Sequence, residues 1–222
     1  MNIDVELARK VLAVVDAGLV KGMGTPEPGK MCVEAAVNYA MGALHGDAPA
    51  CVSHSLRRLK IKLNDSAWSS DQARAAGLRR LAIAQLGSAG ALDEKDFAKR
   101  VSRLAIQSCV PQALRAAARL FKGDKKDAML NAADLCEREP TIENARAART
   151  AAADASSAAA YAAYAAASAA DADAYAADAA YARDTSLAAF AEGVVQILIE
   201  MKAPGCEWLY LTEEPITPFF QR

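Results

Sequence analysis

No stretch of this sequence alternates apolar and polar residues long enough to serve as a half-buried strand, and that absence removes sheet-based folds first. There is no C-x-x-C pair either. The five cysteines, Cys32, Cys51, Cys109, Cys136 and Cys206, are widely and irregularly spaced, which excludes zinc ribbons and thioredoxin-type redox motifs. No run of about 18 apolar residues is bulky and uncharged enough to span a bilayer. The first residues, Met1 to Glu6, lack the basic start and apolar run of a secretory signal. Walker loops, Rossmann glycine patterns and H-E-x-x-H are missing, and Gly29-Lys30 lacks the upstream glycine and following Ser/Thr of a phosphate loop. No cofactor and no metal site is therefore expected. The net charge of −1 gives no overall pull toward nucleic acid or an anionic membrane. Together these absences predict a cytoplasmic protein with reduced thiols, without membrane or nucleic-acid partners.

What the chain does have is apolar content, 53%, and helical periodicity. Its 222 residues suffice for one large domain or two small ones. The composition divides it into an N-terminal helical region, 1–90, and a helical region, 91–222, with alanine-rich helices, unless the two form one continuous domain. Ile3, Leu7, Val11 and Val14 recur at helical spacing, as do Val52, Leu56, Leu59 and Leu63. Thr25-Pro26-Glu27-Pro28-Gly29 is a loop. Ser69, Ser70, Asp71, Asp93 and Thr141 stand where helix N-caps belong. Pro111 sits at a kink or in the first turn of a further helix. The expected fold class is all-α: a multi-helix bundle of about eight helices with close-packed alanine-rich C-terminal helices.

From Ala145 to about Ala182 alanine dominates, and alanine has the best intrinsic helix propensity. One straight helix from Thr141 to Met201 would be ~90 Å long, against a radius of gyration of ~17 Å for a compact chain of this length. Breaks are therefore expected near Ser168 to Asp171 and near Asp184, where serine and aspartate compete for backbone groups. Small side chains let helix backbones approach closely, and Tyr161, Tyr164, Tyr175 and Tyr181 supply most of the area to bury. The tail Cys206 to Thr212 reads as an extended segment packed on the body.

Charge is uneven. Ser55 to Arg80 carries seven basic and two acidic side chains, a net of +5; Thr150 to Glu200 carries seven acidic and one basic, a net of −6. These are solvated helix faces, or the two halves attract each other. Reactive side chains cluster only between Cys32 and His54, with Glu34, His45, Asp47 and Cys51 between them. Cys32 heads an apolar helix, where the dipole and Lys30 would lower a thiol pKa. It can be drawn as a nucleophile with His45 as base and Asp47 as orienter. Cys32, His45, Cys51 and His54 are also the right types for zinc, at spacings that match no common pattern. Arg57, Arg58, Arg79 and Arg80 could meet an anionic ligand.

Pro28-Gly-Lys-Met-Cys-Val-Glu-Ala-Ala36, with Leu44-His-Gly-Asp47, Leu63-Asn-Asp65, Trp68-Ser-Ser70 and the Gly77 to Ser88 segment, resembles a group of uncharacterised proteins of bacteriophages and bacteria. The resemblance covers about residues 22–90 and assigns no catalytic residue. The alanine-rich half is similar in composition to immunity proteins of bacterial toxin systems. What the resemblance implies is a phage setting, with a role in host takeover or counter-defence. The function expected is a non-enzymatic helical binding protein that sequesters or blocks a host or defence protein, with homo-oligomerisation open. The alternative is a small-molecule or nucleotide pocket near Cys32 to His54, acting as a sponge or a cysteine hydrolase.

Overall fold

The computed structural model describes residues 3–152 and 172–213 of the chain. Its described residues are all-α, as expected: they contain no strand, only an isolated antiparallel bridge between Gly24 and Met31. Helices α1 (Val5–Asp16), α2 (Val33–Ala40), α3 (His54–Asn64), α4 (Asp71–Ala84) and α5 (Glu94–Leu104) come first. A π-helical turn, Ala105–Cys109, then leads into α6 (Val110–Ala118) and α7 (Asp124–Arg138). Residues 142–152 are helical (α8), and α9 (Ala172–Glu200) precedes a 3₁₀ helix, Pro204–Glu213.

Several helices start where the sequence offers an oxygen or sulfur to the free amides of a first turn, whereas α6 and α7 start without a side-chain cap. Asp4 accepts from the Leu7 amide at 2.9 Å, Ser70 from Ala73 at 3.0 Å, and Thr141 from Asn144 at 3.1 Å. Asp93 accepts from both Lys95 and Asp96 at the head of α5. Ser53 caps α3, and the Glu94 carboxylate adds bonds from the His54 and Ser55 amides.

The chain divides into two compact units, Met1–Ala98 with Ala180–Arg222, and Lys99–Ala179. The divisions fall inside α5 and α9, not in a linker. In the first unit α4 packs against α1 and the 3₁₀ helix, α1 packs against α2, and α2 against α3. Its core is built from Val11, Val15, Leu56, Leu78 and Leu81, with Val194 and Leu198 from the end of α9. In the second unit α6 and α7 form a hairpin over Leu114, Met129, Ala133 and Cys136, with Ala148 of α8 in the same cluster. Arg115 ties the hairpin by ion pairs to Asp134, at 2.7 Å, and Glu137.

Four expectations need correction or placement. The break near Asp184 does not occur: α9 runs through it. The Asp184 carboxylate reaches away from its own helix and accepts from the Ser69 amide at 2.9 Å and from the Ser69 hydroxyl, so it does not compete for the α9 backbone. The tail from Cys206 is not extended but 3₁₀-helical, because turning every three residues buries Trp208, Leu209 and Leu211 together. The break near Ser168 to Asp171 and the packing around Tyr161 and Tyr164 lie outside the described residues. Attraction between the basic and acidic stretches occurs inside the first unit, where Arg80 of α4 meets Glu192 of α9 at 2.9 Å.

Two glycines permit close approaches that no other residue would. A Cβ on Gly24, at φ 71°, would stand 2.0 Å from the Lys30 carbonyl oxygen, inside the bridged loop. A Cβ on Gly205 would stand 2.3 Å from the Ile83 carbonyl oxygen, where the 3₁₀ helix rests on the end of α4. Gly205→Ala is expected to cost at least ~1–3 kcal/mol of stability through overpacking against backbone. Gly46→Ala, whose Cβ would meet nothing nearer than Asn38 Nδ2 at 3.8 Å, should stay within about 0.5 kcal/mol of wild type. Urea unfolding of the two variants checks the contrast.

Candidate functional site

The glycine-rich connection from α1 to α2 is held by polar side chains of α3 and α4. A loop without regular structure must find partners for its backbone groups elsewhere. Here Asn64 donates to the Val20 carbonyl at 2.9 Å and accepts from the Val33 amide at 3.2 Å. Asp65 accepts from the Gly22 amide at 2.8 Å. Buried Arg74 donates to the carbonyls of Leu19 and Asn64, each at 2.8 Å, and pairs with Asp71 at 2.5 Å. The start of α2 is thereby fixed against the end of α3.

Behind this seam lies a buried ion pair. Glu34 in the first turn of α2 and Lys60 in the middle of α3 are both 0% exposed, and Lys60 Nζ stands 3.6 Å from Glu34 Oε1. That is an ionic contact but too long for a hydrogen bond. Neither carboxylate oxygen nor the ammonium has a hydrogen-bond partner among the described residues. Burial pushes the Glu34 carboxyl above its ordinary range, while the charges of Lys60 and Arg57 pull it back. Burial likewise pulls the Lys60 amine down, opposed by Glu34. A cavity of about 30 Å³ lies at the start of α2, lined by Cys32, Glu34, Asp47, Asn64 and Asp65, with Gly22 and Met23 of the loop, and not by Lys60.

The three residues proposed as a nucleophilic set are each occupied otherwise. Cys32 is the N-cap of α2: its Sγ accepts from the Ala35 amide at 3.4 Å. The expected lowering of its pKa does not occur. Burial raises it, and this outweighs the helix amides that pull it down. Lys30 is no help, since its ammonium is held by Glu27 at 2.7 Å. His45 Nε2 donates to the Gly24 carbonyl at 3.0 Å, not toward the thiol. Asp47 pairs with Arg57 at 2.7 Å, not with His45. Neutral buried thiols are poor nucleophiles, so this arrangement holds structure and does not activate sulfur.

The zinc combination fares similarly. Cys51 Sγ lies 3.6 Å from Met41 Sδ, and His54 is exposed at the start of α3. Among the described residues no group of three His, Cys, Asp or Glu side chains converges as metal ligands would. Of the four arginines named for an anionic ligand, three have carboxylate partners. Arg57 holds Asp47, Arg79 holds Asp16 at 2.7 Å, and Arg80 holds Glu192. Arg79 and Arg80 also donate to the Thr212 carbonyl and hydroxyl, so they clamp the 3₁₀ helix. Arg58 is exposed on α3.

Sequence reasoning counts Lys60 only among the basic charges of Ser55 to Arg80 and gives Glu34 no role of its own. The signal was there for Lys60, which lies four residues after Leu56 and three before Leu63, on the apolar face. Glu34 sits between Val33 and Ala35 in a helix short enough to be buried from Val33 to Asn38.

Comparison with models of protein families, with curated proteins and with solved structures finds no match for this chain.

Two outcomes follow. Lys60→Met alone should cost about 3–5 kcal/mol, because it strands a buried carboxylate. The double variant Glu34→Leu/Lys60→Met should recover most of that loss or exceed wild type. Urea unfolding at neutral pH reads both. Under native conditions a thiol reagent should modify exposed Cys109 first, and buried Cys32 and Cys136 only on unfolding. Peptide mapping after timed alkylation distinguishes them.

Proposed function

We propose that this chain is a non-enzymatic helical binding protein that acts by docking on another protein. The observation that supports this most is that the reactive side chains between Cys32 and Asp47 hold the fold together. Cys32 caps a helix, His45 fastens one loop to another, and Asp47 anchors Arg57. The space beside Cys32, about 30 Å³, suits a water-sized guest and not a metabolite, which favours docking over the sponge or hydrolase reading.

A docking face needs apolar side chains held out on rigid backbone. Leu44 is 93% exposed, and Met23 and Tyr39 are exposed on neighbouring segments. Those segments are tied down. The turn after α2 bonds back through the Ala43 amide to the Asn38 carbonyl, at 2.9 Å, and His45 fixes it to Gly24. Among the described residues no helix is long and apolar enough to cross a membrane, and the partner we favour for this face is a protein. On the expectation drawn from the motifs of residues 22–90, a host or defence component is the partner to seek.

Affinity capture from bacterial lysate tests the reading, with the folded full chain and Leu44→Asp side by side. The expected result is a protein retained by wild type and by Cys32→Ala, and lost at least about tenfold with Leu44→Asp, a change of ~1.4 kcal/mol. Retention of nothing by folded wild type, or loss on Cys32→Ala with the fold intact, would overturn it.

A further inference from the structure

The basic stretch from Ser55 to Arg80 carries seven cationic side chains. In the folded chain five of them meet a carboxylate: Arg57 meets Asp47, Lys60 Glu34, Arg74 Asp71, Arg79 Asp16 and Arg80 Glu192. The two left over are Arg58 and Lys62. They stand four residues apart on neighbouring turns of α3, both are exposed, and neither has a carboxylate partner among the described residues. An exposed cation is ordinary by itself, and the position of these two is what matters. Arg58 lies one turn before Ile61 on the same side of α3. Ile61 walls the cavity at the start of α2 together with Gly22 and Met23. Lys21, which precedes that glycine, is exposed and is likewise without a carboxylate partner among the described residues. His45, next to Leu44, bonds to the carbonyl of Gly24, next to Met23. Three unmatched cations therefore border the face on which Met23 and Leu44 are held out. The carboxylates close by are engaged within the fold: Asp47 by Arg57, Glu27 by Lys30, and Asp65 by the N–H groups of Gly22 and Asn64. The excess charge on this border is positive.

We infer that this face takes an acidic protein surface, with an apolar side chain of the partner against Leu44 and Met23 and its carboxylates opposite Arg58, Lys62 and Lys21. The inference rests on the docking proposal above and adds the chemistry of the partner. Protein interfaces commonly set an apolar centre inside a polar rim. Rim charges of one sign steer in a partner of the other sign and penalise one of the same sign. Nucleic acid is the competing polyanion. Its outer surface is a regular, closely spaced run of phosphates, which offers Leu44 nothing apolar and cannot skip the carboxylates of Glu27, Asp47 and Asp65 that lie among the cations. A protein surface can place carboxylates opposite three cations and none opposite the acids.

Selection from a random-peptide display library on the folded full chain tests it, with the affinities of the selected peptides measured by fluorescence anisotropy. The expected peptides carry Asp or Glu beside a bulky apolar residue, and their affinity falls as salt is raised. Arg58→Glu/Lys62→Glu should weaken them at least about tenfold, and so should Leu44→Asp. Circular dichroism checks that each variant is folded, and Arg58→Gln/Lys62→Gln replaces the charge reversal if that variant does not fold. A selection that yields no peptide, or only neutral or basic ones, would overturn the inference. So would a labelled DNA duplex that binds more tightly than any peptide and is lost in the charge-reversed variant. Peptides that need Leu44 but ignore Arg58 and Lys62 would sink the acidic partner and leave the docking face standing. Acidic peptides that need the two cations but ignore Leu44 would sink the docking face itself.

Discussion

The first unit is organised around one opposite-charge contact that water cannot reach. A carboxylate and an ammonium placed in an apolar interior each lose several kilocalories per mole of hydration, and their attraction returns only part of it. The helices carrying Glu34 and Lys60 otherwise bury mainly apolar side chains, Val33 and Val37 on α2 and Leu56 and Leu63 on α3, with Asn38 and Asn64 the polar exceptions. The pair dictates the register of α2 against α3: a one-residue shift of either helix would leave a bare charge in the core. Around it Asn64, Asp65 and Arg74 take up the backbone of the α1–α2 connection, so the loop and the pair form one structure.

That arrangement explains why Cys32, His45 and Asp47 do not bond to one another as a nucleophilic set would. Catalysis needs a nucleophile whose charged form is favoured and a base within reach of its proton. Here burial favours the neutral thiol at Cys32, and the imidazole and the nearby carboxylate each face another partner. The arginines on α4 are likewise taken up by Asp16, Glu192 and the end of the chain. With these side chains engaged in the scaffold, the docking reading we propose looks to the surface, where Leu44, among the described residues, stands 93% exposed on a turn held by hydrogen bonds.

Helix class, most helix starts and the main breaks were legible in the sequence, because caps, prolines and apolar spacing are local signals. Ser70, Asp93 and Thr141 act as caps where the pattern placed them. The π-turn before α6 was not legible. Pro111 near the start of that helix signalled irregularity without its kind. The continuity of α9 was missed because the carboxylate at Asp184 was read as a competitor for its own backbone, whereas a serine far away in sequence claims it. The site was misread for a related reason. Residue types at Cys32, His45 and Asp47 suggested a triad, but which atom bonds to which depends on where the Gly24 loop and α3 return. Lys60 reads as one more charge of the basic stretch because a lysine is ordinarily a surface residue, and only its spacing marks it as buried.

The account holds that the Glu34–Lys60 cluster is a permanent part of the folded core. Native-state hydrogen exchange of the backbone amides of α2 and α3 measures this directly, since amides of a permanent core exchange only when the whole unit unfolds. The amides of Val37, Leu63 and Asn64 should exchange only through global unfolding, with the denaturant dependence of the whole unit. Exchange of these amides through a small, low-energy opening in the intact protein would contradict the account.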